Sequence, residues 1–256
     1  MENYLIEMAY DGSGYHGWQI QKNAVTVQEV FQDAVVRVLG ERPELKACSR
    51  TDTGVHARSF FVSMKSGTKI PPDRLVPALN RELPKDLTVR SCRRVAPTFH
   101  ARYDCLGKEY QYQIWNHSLR DPFLKDRALH YWWKLDETRL DQAAKYYIGR
   151  HDFSSFCTLD RRKMGDLTRT VFDASVRRQG DLLIFSVSAD GFLYHMVRIM
   201  TGTLLRVGEG KLSPEELPEI IAAKNRDRAG PTAPACGLYL HRVFYEPDQE
   251  KMKKKT

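Results

Sequence analysis

Residues 4 to 10, YLIEMAY, set Tyr4, Ile6, Met8 and Tyr10 against Leu5, Glu7 and Ala9, the two-residue period of a strand. DGSGYHGW follows with turn glycines. In TVQEVFQDAVVRVLG the period becomes helical. Val27, Val30, Phe31, Ala34, Val35 and Val38 share a face, Thr26 and Glu29 form a capping box, and Gly40 stands where a helix closes. Residues 45 to 48 predict a short strand and residues 60 to 65 (FFVSMK) another. PPDRLVPALNREL reads as a short helix weakened by Pro77, and LTVRSCRRV as a closing strand. The order is β-α-β-β-α-β, the ferredoxin-like split unit, with RTDTGVHA joining its second and third strands.

The second half repeats that order without repeating the residues. KEYQYQI alternates Tyr110, Tyr112 and Ile114 with Glu109, Gln111 and Gln113. A helix runs through Leu140, Ala143, Ala144, Tyr147 and Ile148 to Gly149, and TVFDASV and LLIFSVSA predict two strands. A second helix spans residues 192 to 207, a short one starts at Ser213 with Pro214 and Glu216 completing a capping box, and GLYLHRVFY is the last strand. The expected fold is α+β: two ferredoxin-like halves, residues 1–103 and 104–246, followed by a basic flexible tail, 247–256. No Gly/Ser/Pro-rich linker separates the halves. The expectation is therefore a central, mainly antiparallel sheet carrying helices, with an active-site cleft between the halves.

At 256 residues, 42% hydrophobic and 28% charged, the chain has a globular composition. Its formal charge is +8, and the tail from Glu246 holds four Lys against three acidic residues, so about +7 resides in the body. That excess favours a polyanionic partner such as nucleic acid. Five scattered cysteines, Cys48, Cys92, Cys105, Cys157 and Cys236, contain no C-x-x-C pair, which argues against a disulfide framework or a zinc site. The N-terminal MENYLIEMAYDG is acidic where a signal peptide is basic, and no apolar run reaches the roughly 18 residues of a membrane span. A reduced, cytoplasmic protein is expected, with no membrane partner.

Chemistry is harder to read. Asp52 in a turn ordinarily bonds its own backbone. Yet Gly54 permits positive φ or close approach of a partner, and Arg50 supplies a counter-charge, so a positioned carboxylate nucleophile is the alternative. His56, His100, His151 and His195 are isolated, with no H-x-x-x-H or H-E-x-x-H pair, which leaves no metal site in the reading. Tyr110, close after Arg102 and Lys108, suits stacking on an RNA base, whereas Tyr112 reads as core. Arg198 lies in an otherwise apolar helix and needs a partner if buried.

RTDTGVHA closely resembles the catalytic motif of the tRNA pseudouridine synthase A family, RTDAGVHA. YDGSGYHGWQIQ followed by TVQ, ALNRELPKDLTV, FHARYDCLGKEYQYQI, GRHDFSSF, HMVRIMTGTLLRVGEG and AGPTAPACGLYLHRVFY resemble the rest of the family's pattern in order; only the tail from about Glu246 falls outside. Ser49 and Thr53 depart from it, standing where Gly and Ala are expected. The resemblance implies that Asp52 is catalytic, that Tyr110 packs the base, that Arg198 pairs with the aspartate, and that Arg50 helps displace the target nucleotide. It further implies isomerisation of uridine to pseudouridine at tRNA positions 38, 39 and 40, by a homodimer using no metal or organic cofactor. Two other readings of the residues stand beside it. One is an N-glycosidase, which needs a second carboxylate from Asp104, Glu109 or Asp190. The other is a non-catalytic RNA-binding module.

Overall fold

The structure, a computed structural model, describes residues 1–158 and 165–246; the expected tail, 247–256, lies outside the described residues. It is α+β, with mainly antiparallel sheet and helices packed on it. The chain divides into two compact units, Met1–Leu106 with Tyr239–Tyr245, and Gly107–Leu238.

The first unit contains β1 (Glu2–Tyr10), α1 (Val27–Leu39), β2 (Leu45–Ala47), β3 (His56–Ser66), α2 (Pro72–Glu82) and β4 (Leu87–Val95). The strands pair in the order β4-β1-β3, with β2 antiparallel to β3. This is the arrangement that the β-α-β-β-α-β order predicts. Tyr4, Ile6 and Met8 of β1 are buried with Phe31, Ala34 and Val35 of α1, Phe60, Val62 and Met64 of β3, and Leu75 and Leu79 of α2. α1 starts where Thr26 accepts the Glu29 amide and stops at Gly40, φ 70°. α2 continues through Pro77 because that residue lies on the exposed side, where loss of one N–H is tolerated.

The second unit contains β5 (Gly107–Trp115), β6 (Leu129–His130), α3 (Glu137–Lys145), β7 (Gly149–Asp152), β8 (Thr168–Gln179), β9 (Leu182–Ala189), α4 (Met196–Gly208) and α5 (Leu217–Ala222). Its sheet runs β5-β9-β8-β7, with β6 added in parallel to β5. Tyr112, Tyr147, Phe156 and Phe185 fill its core. α4 is buried nearly all round, and its Thr201 and Thr203 satisfy their hydroxyls on the Val197 and Ile199 carbonyls, both at 2.8 Å.

The last strand, β10 (Leu238–Phe244), lies parallel to β3 with Tyr239 opposite His56. An alternating pattern identifies a strand without naming the edge it joins.

Candidate active site

RTDTGVHA connects β2 to β3 in the first unit. The Val55 amide donates to the Asp52 carbonyl at 3.1 Å and Gly54 turns the chain at φ 77°. The backbone is therefore a glycine-dependent turn, and what sets it apart is how tightly it is held. The segment 12–18 lies directly on it. The Gly54 amide donates to the Tyr15 carbonyl at 3.2 Å, the Trp18 amide to the Thr51 carbonyl at 3.1 Å, and the Tyr10 and Thr51 hydroxyls share a buried hydrogen bond of 2.9 Å. A Cβ added at Gly12 would sit 2.0 Å from the Val55 carbonyl oxygen, and one at Gly17, φ 84°, would sit 2.4 Å from that of Thr51. Glycine is required at both positions because the two backbones touch. Trp18, buried, packs on Phe60 with ring centroids 4.4 Å apart, and the Tyr15 hydroxyl donates to Asp86 at 2.7 Å. Asp52 is half-buried between buried Thr51 and exposed Thr53; Ser49 is half-buried and Arg50 exposed.

His56, set aside from sequence as an isolated histidine, is part of this clamp. It is 2% exposed, stacks on Tyr239 at 4.6 Å, and has both the Gly12 amide (3.0 Å) and Asp11 Oδ1 (3.1 Å) at its Nδ1. One nitrogen cannot accept from the first and donate to the second at once. The direction of the amide hydrogen is fixed by the backbone, so Nδ1 is the acceptor here, and Asp11 Oδ1 takes the Ser13 amide at 3.0 Å. The signal was a histidine four residues after the aspartate; its partner Gly12, 44 residues away, becomes visible only once the chain is folded.

Tyr110 lies on β5 in the second unit, opposite Val187 of β9. It is 6% exposed and packs edge-on against Phe192, centroids 5.0 Å apart at 82°. Tyr112 is core, as its pattern predicts; it donates to the Pro234 carbonyl at 2.7 Å, and burial pushes its hydroxyl far above the usual range, partly opposed by the Arg198 charge. Arg198 is the third residue of α4. Its Nε donates to the Ala233 carbonyl at 2.7 Å, and the Ala233 amide returns a bond to the Arg198 carbonyl at 3.1 Å. The carbonyl thus supplies a partner for one of the guanidinium's five N–H donors. The 230–234 loop lies flat on the helix. The Gly230 amide donates to Thr203 Oγ1 at 2.9 Å, and a Cβ at Gly202 would sit 1.7 Å from the Pro231 carbonyl oxygen. Burial raises the thiol of Cys236, in the turn that follows this loop, with Arg198 pulling in the opposite direction.

Two of the carboxylates that a hydrolase would recruit have local duties. Asp104 accepts the His100 amide at 2.7 Å and Asp190 the Thr170 amide at 3.0 Å; Glu109 is buried on β5. Among the described residues, no group of three or more His, Cys, Asp or Glu is placed to hold a metal ion, and all five cysteines are free thiols. No helix among those residues is long and apolar enough to cross a membrane.

The profile of the tRNA pseudouridine synthase family matches residues 7–104 and 143–246. Proteins called tRNA pseudouridine synthase A are similar over nearly the whole chain. That of Thermoanaerobacter sp. (strain X514) is 44% identical over 245 residues, covering 96% of this chain and 100% of its own. That of Acetivibrio thermocellus is also 44% identical over the same shares. That of Moorella thermoacetica is 46% identical over 242 residues, 94% of this chain and 98% of its own.

Proposed function

The chain belongs to the tRNA pseudouridine synthase family and is an isomerase acting on tRNA, and from that premise we propose that Asp52 carries the reaction on uridines 38, 39 and 40 of the anticodon stem-loop. The observation that carries this reading is the turn itself: a half-buried carboxylate on a loop fastened on both flanks by backbone hydrogen bonds. Preorganisation of this kind lets one side chain meet a reacting atom at a fixed distance.

The reaction breaks the N1–C1′ bond of uridine, turns the uracil, and joins C5 to C1′. C5 gives up its proton and N1 gains one, so the product is an isomer and no water is consumed. A paired uridine is unreachable in its stem and must be extruded, at an unstacking cost of a few kcal/mol. Contacts from a net-basic protein to phosphates offset that cost. In this reading Arg50, exposed beside the turn, helps displace the nucleotide and Tyr110 packs the extruded base. Asp52 acts at the sugar or the base, and Arg198 serves as its cationic counterpart. The clasp between Arg198 and Ala233 supports the last role by holding the side chain to one direction. The resemblance supports a homodimer, and five free thiols suit a cytoplasmic setting.

Incubation of the purified protein with an unmodified tRNA transcript, followed by chemical mapping of pseudouridine, tests the reading. Pseudouridine at positions 38 to 40 is expected. Release of free uracil would instead identify a glycosidase, and unaltered RNA that is nonetheless bound would identify a binding module.

A further inference from the structure

Immediately before α4, Tyr194 lies on the ring of His195 with centroids 3.7 Å apart and planes at 25°. His195 is held at φ 61°, one of three non-glycine residues there with positive φ. That backbone is disfavoured for a residue with a side chain and persists only where the surroundings impose it. Thr158 Oγ1, 3.1 Å from His195 Nδ1, helps to fix the ring. Leu193 and Met196 on either side are buried, yet Tyr194 remains 44% exposed. With one face of its ring covered by His195, its exposure belongs to the other face and the edges. The pair presents a rigid, outward aromatic surface where the chain had core positions within one residue.

A cation lies close by: the Arg169 side chain runs along Gly191, with Nε 3.3 Å from where a Cβ would stand, and one terminal nitrogen anchored on the Asp166 and Thr168 carbonyls at 3.0 and 2.6 Å. Aromatic faces take successive bases of a single strand while cations track the phosphates, and each stacked base adds affinity whatever its identity.

We propose that Tyr194, backed by His195, is a stacking platform for a base flanking the target uridine in the RNA substrate. This rests on the proposed function, because a neighbour of the extruded nucleotide loses its own stacking partner and Tyr194 replaces it. Every base has a π-face, so the platform adds affinity and commitment to the extruded state without selecting sequence.

The test uses an anticodon stem-loop with 2-aminopurine beside the target uridine. Wild-type protein should alter its fluorescence sharply on binding. Tyr194→Ala should abolish that change and raise Kd about 10-fold, with the thermal midpoint of the protein unmoved. Tyr194→Phe should restore both readouts, and His195→Gly, which tolerates the left-handed backbone, should give an intermediate loss. Equal Kd and equal fluorescence change for wild type and Tyr194→Ala would overturn the proposal. So would a variant whose sedimentation changes while RNA binding does not, which would mark the surface as a contact between copies of the chain. The same assay separates this idea from its premise. Wild-type protein that forms pseudouridine with an indifferent Tyr194 sinks the platform alone, whereas wild-type protein that leaves the RNA unaltered sinks the proposed function.

Discussion

Asp52 owes its position to glycines that are not beside it in sequence. Gly12 and Gly17 let the 12–18 segment press backbone to backbone on the 51–55 turn. Gly17→Ala therefore combines a strained φ with a Cβ 2.4 Å from a carbonyl oxygen. It is expected to destabilise the protein by about 2 kcal/mol, visible as a lower denaturant midpoint at unchanged slope, and to slow turnover by shifting the turn. A stability equal to wild type would show that the contact is loose. At this scale the sequence was informative about identity and poor about support. Asp52, Tyr110 and Arg198 stood out through motifs, and Tyr112 through alternation. His56 did not, because a lone histidine has no pattern, and its partners Gly12 and Asp11 lie more than forty residues away.

Among the elements, α4 and the loop laid along it carry the second group of candidate residues. Gly202, at the middle of the helix, cannot bear a side chain while Pro231 keeps its place, since a Cβ would approach the carbonyl oxygen to 1.7 Å. Gly202→Ala should thus force loop and helix apart, costing about 3 kcal/mol and disturbing the hydrogen bonds that tie Arg198 to Ala233. Thermal unfolding read alongside activity checks this, and a fully active variant of native stability would contradict it. Helical periodicity located α4, yet the predicted start at residue 192 is four residues early because His195 adopts a left-handed backbone. The helix predicted through Ile148 ends at Lys145 for a comparable reason: its last turn is spent leading into β7 at Gly149, φ 116°. β6 and β7, of two and four residues, are too short for any period to register. The capping box is complete at Ser213 with Glu216, whereas at Thr26 only one half forms, its side chain accepting the Glu29 amide.

For the molecule as a whole, charge is the property with the clearest consequence. A chain of formal charge +8 that binds tRNA releases counterions on doing so. Its affinity should fall linearly in log–log form as salt rises, by roughly 100-fold or more between 50 and 200 mM. A binding constant indifferent to salt, measured by filter retention or anisotropy, would refute an electrostatic grip on the backbone. The α+β class and the mainly antiparallel pairing could be read from strand and helix periods. The parallel pairing of β10 with β3 could not, since the partner strand of an alternating segment is decided by long-range packing that no local pattern records.

The proposed chemistry rests on one carboxylate. Asp52→Asn preserves the size and hydrogen-bonding reach of the side chain but removes its charge and nucleophilicity. With unmodified tRNA under single-turnover conditions, the variant is expected to bind within about threefold of wild type and to form pseudouridine at a rate lower by a factor on the order of 10⁴ or more. If Asp52→Asn converts uridines 38 to 40 at the wild-type rate, the chemistry resides elsewhere and the central claim is wrong.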